Sequence, residues 1–492
     1  MTRNTLIASH RWLGVALCSM FLLWFSSGVG MMYWQFPSVT AEDRLARSPA
    51  LGASTIRLSP LEAFRRARLS QQALDARLTV LDSRPAYRFR TSTEEATVYA
   101  DTGERQFAAS SGMMARVASA WSRQAAGSAT VTEIDVDQWT VEGTFRALRP
   151  LWKYSWPNGE EVYVSQVTGE VVQYTTTASR VGAYLGPIPH WLYFTPLRRH
   201  RGAWSALVIG LSAAATVAAM LGLLVGALVY SPRRRYRLAG APAANPYRGP
   251  KRWHLALGLI FGASAATWAF SGLLSMYPFA HSGDGGPALE SLRGPLNLPA
   301  FAAKPPEMAL AQLAGLAVKQ LECTSFRAEP LYIASVTGGF RIVPVDGTPR
   351  AEFDERAIGA ALAQSQPASL IDLRRATRYD RYYLDRHGRF PLPVLVARVD
   401  DAHSTRYYID PRTARIVSTY SSTDWTERWL YHGLHSLDFP WLYASRPSWD
   451  VLVIVFMLGG TALAVTALML AWRVVKRTFR LATVDEQRRG QV

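Results

Sequence analysis

The sequence predicts an α-helical membrane protein with four transmembrane helices arranged as two parallel repeats. Two α+β domains are expected outside the membrane. Three observations predict this: four long stretches without a charged side chain, a basic bias at one end of each stretch, and a gap-free match between the two halves.

The first observation needs the composition behind it. The chain has 492 residues, of which 49% are apolar and 18% charged, with 16 tryptophans and a net charge of +17. That balance excludes intrinsic disorder, which requires little apolar and aromatic content. Two cysteines, Cys18 and Cys323, are too few for a disulfide framework or a cysteine-rich metal site. Cys18 lies in an apolar run and Cys323 in a polar segment, so no bridge is expected between them.

The segments 12–41, 202–232, 253–283 and 451–472 contain no Asp, Glu, Lys or Arg. A bilayer core of about 30 Å needs about 20 apolar helical residues. Helices are therefore expected at 13–34, 204–230, 253–277 and 450–472. Orientation follows the positive-inside rule. Residues 231–252 hold seven basic and no acidic residues, and the tail after Trp472 begins RVVKRTFR. Residues 1–12, 231–252 and 473–492 are thus expected in the cytoplasm. Residues 35–203 and 278–449 are expected outside, in the periplasm of a bacterial inner membrane. The first apolar run is too long for a cleaved signal peptide. Basic residues placed along membrane faces suit anionic headgroups of the lipid bilayer, not nucleic acid.

The repeat appears when His10 is placed over His254. Gly14 then falls on Gly258, Trp24 on Trp268, Ser27–Gly28 on Ser271–Gly272, and Met32–Tyr33 on Met276–Tyr277. With His190 over His435, Leu192 falls on Leu437, Phe194 on Phe439, Arg201 on Arg446 and Trp204 on Trp449. Each half reads helix, external domain, helix. Both start on the same side, which makes them parallel repeats and gives a four-helix bundle.

Each external segment opens with a helix signal. SPLEAFRRARLSQQAL has Ser59 as N-cap, Pro60 at the first position and Glu62 at the third. MALAQLAGLAVKQL at 308–321 is its partner. Alternating strands follow at 77–91 and 95–104, then in strand–turn–strand stretches at 153–174 and 404–420. A T-[GA]-[ER] turn recurs at Thr102–Glu104, Thr168–Glu170 and Thr413–Arg415. These read as small α+β units with a helix on an antiparallel sheet. No catalytic triad elbow, zinc-protease motif or phosphate loop is present.

The chemistry lies in the nine histidines. His10 and His254 begin the first and third spans. His190 and His435 precede Trp204 and Trp449 by 14 residues on the opposite face. Each pair is one position seen twice. Equivalent residues across a pseudo-two-fold axis can face each other, and a flat macrocycle on that axis would receive one imidazole from each half. Two such pairs would give two bis-histidyl haems stacked across the bilayer. The competing expectation is that the four histidines are interfacial caps and loop residues. His200, His281 and His432 have no repeat partner, and His387 and His403 read as surface residues.

HRWLG at 10–14, PHWLYF at 189–194, GEEVYVSQVTGEVV at 159–172, TRYYIDPRTARIV at 405–417 and RWLYHGLHSLDFPWLYASRPSWD at 428–450 resemble the PepSY-associated transmembrane family. The resemblance spans nearly the whole chain, with Ala414 departing from the glycine usual in that turn. It implies PepSY-like external modules and a haem b protein. It also implies a ferric-siderophore reductase, an oxidoreductase of iron uptake, with His10, His190, His254 and His435 as iron ligands. The cytoplasmic parts are too short for a flavin or nicotinamide domain, so quinol or a separate partner would donate electrons. PepSY modules are also linked to peptidase inhibition, which leaves a membrane-anchored binding module without haem as the alternative.

Overall fold

The structure is a computed structural model and describes residues 2–276, 291–386 and 388–489. It divides into two compact units, one of Met1–Phe36, Ala178–Gly283 and Asp424–Val492, the other of Pro37–Thr177 and Asp284–Thr423.

The first unit is built on four long helices: α1 (Arg3–Tyr33), α2 (Arg201–Val229), α3 (Pro250–Leu274) and α4 (Arg446–Arg489). All four are long and apolar enough to cross a membrane, α4 as far as Thr478, and the chain is a multi-pass membrane protein. Each helix starts before its expected residue, because the charge boundary marks the edge of the apolar run and not the end of the helix. Arg, Lys and Glu favour helix, so α4 continues beyond Trp472. Thr2 caps α1 by accepting from the Thr5 amide at 3.3 Å. Pro250 opens α3 at a position where its missing N–H costs nothing. The expected end of the third span at Tyr277 lies outside the described residues.

Helix α1 packs on α2 and α4, and α3 packs on the same two, so α1 and α3 occupy one diagonal of the bundle. Small residues let α4 approach closely. A Cβ on Gly460 would clash with the Phe25 ring, and one on Gly459 with the Phe261 ring. Phe25 in turn lies 5.9 Å from Trp268, which lies 6.1 Å from Phe456. These rings fill the middle of the bundle.

The second unit carries three antiparallel sheets. One has seven strands, in the order Gly339–Pro344, Glu329–Val336, Val318–Phe326, Asp75–Leu81, Arg84–Arg90, Glu95–Tyr99, Arg105–Gln106. Its central pairing joins the two external segments, with Ala76 opposite Cys323 and Leu78 opposite Leu321. The segments expected as separate domains therefore share one sheet and one core, in which Leu78, Tyr87, Phe89, Leu321 and Tyr332 are fully buried. Each segment also has a four-stranded sheet of its own, spanning Thr130–Thr175 and Leu370–Tyr420, with a helix against it at Ser111–Ser122 and Glu355–Ser365 respectively.

The capping box expected at Ser59 and Glu62 is present. Its expected partner helix at 308–321 is not. The helix there is Pro306–Ala311, and residues from Val318 onward form a strand. Gly315 at φ +88° takes the chain out of helical geometry, and sheet pairing on both sides captures the apolar run that follows. Cys323 accordingly sits buried inside a strand, and it and Cys18 are both free thiols. The three T-[GA]-[ER] turns place Gly103, Gly169 and Ala414 at φ +78°, +69° and +53°. Ala414 thus holds a left-handed conformation that glycine adopts at lower cost.

Candidate functional site

The four predicted histidines come together as two pairs within the helical unit. His10 and His254, on the diagonal helices α1 and α3, have ring centroids 6.2 Å apart at an interplanar angle of 33°. His190 and His435 have centroids 6.0 Å apart at 68°. An iron ion held by two imidazole nitrogens at about 2 Å each sets the ring centroids roughly 6 Å apart. Both pairs have that spacing. Among the described residues, no group of three or more His, Cys, Asp or Glu is placed to hold a metal ion. Two imidazoles alone under-coordinate a bare ion but complete a macrocycle that brings its own four nitrogens.

The second ring nitrogen of each histidine is already engaged. His10 Nδ1 lies 3.1 Å from the Ala218 carbonyl oxygen. His190 Nδ1 lies 3.2 Å from Ser27 Oγ, His254 Nδ1 3.0 Å from Thr466 Oγ1, and His435 Nδ1 3.0 Å from Ser271 Oγ. A carbonyl can only accept. The hydroxyls are committed as donors elsewhere: Ser27 donates to Leu23 O at 2.6 Å, Thr466 to Leu463 O at 2.7 Å, and Ser271 to Trp268 O at 3.1 Å. With those bonds made, each hydroxyl is left to accept from the imidazole, an arrangement that favours the proton on Nδ1 and the lone pair on Nε2 in all four rings. A ligating histidine is oriented in this way by its outer partner.

Backbone geometry places the outer pair. His190 rides on a short helix, Pro187–Trp191, introduced by Gly186. Gly186 lies so close to α1 that a Cβ on it would sit 2.8 Å from the Gly30 carbonyl carbon. His435 follows a π-helical stretch at Thr426–Gly433, a distortion frequent at functional sites. Two residues after each histidine, Leu192 and Leu437 adopt left-handed conformations with φ of +55° and +52°. Trp204 Nε1 donates to the Trp191 carbonyl at 2.8 Å, and Trp449 Nε1 donates to Ser436 O at 3.0 Å. In each case the clamped residue is the one directly after the histidine. Burial pushes the His190 imidazole down to about 4, so the ring is neutral near pH 7 and available as a ligand.

The His10–His254 pair lines a cavity of about 860 Å³, a size that suits a large cofactor. Gly14, Gly222 and Gly258 also line it. A Cβ on Gly222 would come 2.7 Å from His10 Cε1, so this ring packs directly on the α2 backbone. The donor set, the tautomers, the ring spacing and the cavity all fit a bis-histidyl haem.

The other histidines stand apart. His200 stands at the N-cap position of α2 without a side-chain capping bond, and His403 is exposed. The His432 ring is tilted at 45° to the Tyr431 ring, 4.7 Å away, and lies 3.8 Å from Glu427 and 3.9 Å from Asp438. His281 and His387 lie outside the described residues. The orienting groups Ser27, Ser271 and Thr466 were not among the expected site residues. For the serines a signal existed, since Ser27 and Ser271 match in the alignment of halves. Thr466 has no such signal, because its counterpart is the Ala218 region, where a carbonyl does the same work.

Residues 252–491 match the family described as the PepSY-associated TM region. That segment contains His254, His435, α4 and most of α3. No curated protein sequence matches the chain. The chain, with its four membrane-type helices, thus carries a PepSY-associated transmembrane region over residues 252–491.

Proposed function

We propose that this protein is a di-haem b electron-transfer protein of a bacterial inner membrane. In this reading its two halves are parallel repeats, both termini face the cytoplasm, and the α+β unit faces the periplasm. It acts as a reductase that takes electrons from quinol or a partner protein and passes them to a ferric chelate or siderophore. The observation that carries the proposal is the meeting of the four histidines as two ring pairs 6.2 and 6.0 Å apart, each ring anchored through Nδ1.

His10 and His254 would hold one haem, and His190 and His435 the other. Haem b supplies reversible one-electron chemistry when bound. Ser27, Ser271, Thr466 and the Ala218 carbonyl orient the rings. From His10 to Ser27 is 17 residues of α1, roughly 26 Å of helix, so the two pairs sit near opposite ends of a membrane-spanning bundle. The basic residues of 231–252 and of the start of the tail support the orientation. Reduction suits release of iron from hard oxygen donors, which hold Fe(II) more weakly than Fe(III).

A reduced-minus-oxidised absorption spectrum of the purified full chain, with extraction to count haem, tests the reading. Two b-type haems per chain are expected, falling to one in His254→Ala and in His435→Ala, with loss of ferric reduction in each. A haem-free protein purified from haem-replete cells would overturn it.

A further inference from the structure

The cavity at His10 and His254 has a second chemical feature. Four cationic side chains line it: Arg11, Lys251, Arg473 and Arg477. No acidic residue is among its lining, and none of the four makes an ion pair with a carboxylate among the described residues. Arg11 lies over the Trp12 ring at 5.5 Å and Lys251 over Tyr247 at 5.8 Å.

Sequence spacing ties these cations to the imidazoles. Arg11 adjoins His10. Lys251 is three residues before His254, on the same side of α3. Arg473 is seven residues after Thr466, the residue that anchors His254, and Arg477 is one turn further, so all three share a face of α4. Roughly 10 Å of helix separates Thr466 from Arg473. The cavity is therefore apolar around the imidazoles and cationic at one edge. It suits a flat apolar ligand with anionic groups on one side, and guanidinium pairs carboxylates in bidentate fashion.

We propose that Arg11, Lys251, Arg473 and Arg477 form the carboxylate-binding edge of this site and fix the in-plane orientation of the macrocycle by holding its propionates. This rests on the haem reading above. The four residues act through the carboxylates and not as iron ligands. A lipid phosphate would satisfy the same cations, but the cations share their cavity with the two imidazoles, which a lipid headgroup does not require.

The test uses the full chain with Arg473→Gln/Arg477→Gln and with Arg473→Lys/Arg477→Lys, each loaded with haem or with haem dimethyl ester, whose carboxylates are blocked. Haem transfer to apomyoglobin and the reduction potential of each haem are measured. With haem, the Gln form should release one of its two haems at least tenfold faster. The potential of that haem should fall by a tenfold change in its reduction equilibrium, about 59 mV for one electron, because propionate charge no longer balanced by guanidinium favours the ferric over the ferrous form. The Lys form should restore most of both effects. With the dimethyl ester, wild type and Gln form should release the macrocycle at the same rate. Unchanged release and potential in the Gln form would overturn the proposal. So would an equal loss with the ester, which would assign the arginines to packing or to lipid phosphate. A chain that binds no haem would overturn the haem reading and this proposal together, whereas two haems unaffected by the substitutions would overturn this proposal alone.

Discussion

Ser27 Oγ and His190 Nδ1 are hydrogen-bonded at 3.2 Å, and Ser271 Oγ and His435 Nδ1 at 3.0 Å. The same bond is made twice, each time from the end of a long helix to a histidine on the following external connection. Removal of such an outer partner costs about 10- to 100-fold in ligand affinity at metal sites. Ser27→Ala and Ser271→Ala should each weaken haem binding at one site by that order and leave the His10–His254 site intact. Haem titration of the full chain, followed at the Soret band, checks this. Equal affinity in both variants would mean that the serines do not orient the rings.

Gly222 offers a steric test of the other pair. A Cβ there would lie 2.7 Å from His10 Cε1, whereas a Cβ on Gly210 of the same helix meets nothing within 4 Å. Gly222→Ala should displace the His10 ring and loosen one haem, while Gly210→Ala should be silent. Overpacking of this kind typically costs about 1–3 kcal/mol. Comparison of the two variants by thermal loss of the haem spectrum separates a packing effect from a helix-propensity effect.

Trp449 and Trp204 donate to the residue after each outer histidine, but Trp449 is only 1% exposed and Trp204 is partly open. A buried acceptor left without its donor costs about 1–3 kcal/mol. Trp449→Phe should therefore lower the melting temperature more than Trp204→Phe. A reversed order would show that the indole bond to Ser436 O is not the stabilising contact.

Glu322 is the ionic centre of the α+β unit. It receives Arg293 Nη1 at 2.7 Å and Arg415 Nη2 at 2.6 Å, with Arg77 Nε at 4.0 Å. Burial works against its charge, but the guanidinium groups of Arg293, Arg415 and Arg77 prevail and hold its carboxyl below the usual carboxylate range. A carboxyl depressed in the folded state adds stability above its unfolded pKa of about 4.3, and that stability is lost as pH falls through the folded value. The unit should thus lose stability below about pH 4. Glu322→Gln should cost about 3–5 kcal/mol at neutral pH, since it strands the buried Arg293 guanidinium, and should flatten the acid limb. Denaturation of the full chain followed by tryptophan fluorescence at pH 7 and pH 4 measures both.

Much of this was legible in the sequence because it rests on one-dimensional signals. Charge-free runs mark membrane helices, since a buried charge in lipid is costly. The Ser59–Glu62 capping box is local, and it formed as read. The run at 308–321 was misread because its apolar spacing suits helix and strand alike, and only pairing with Asp75–Leu81 on one side and Glu329–Val336 on the other decides between them. The joint sheet was invisible for the same reason, since its central pairing links residues 76 and 323 across the two intervening membrane-type helices α2 and α3.

By itself the sequence determined that four apolar helices exist, that two histidine positions recur, and that the cations crowd the stretches between and after the helices. These are facts of composition and spacing. Tertiary structure alone decided that His10 meets His254 and His190 meets His435, because ring pairing depends on which helices share a diagonal. It also decided the rings' hydrogen-bond partners. His254 Nδ1 bonds Thr466, 212 residues away, whose own hydrogen is directed to the Leu463 carbonyl, which favours the proton on Nδ1. A hydrogen bond of that kind is set by the fold around the ring, and no spacing along the chain encodes it.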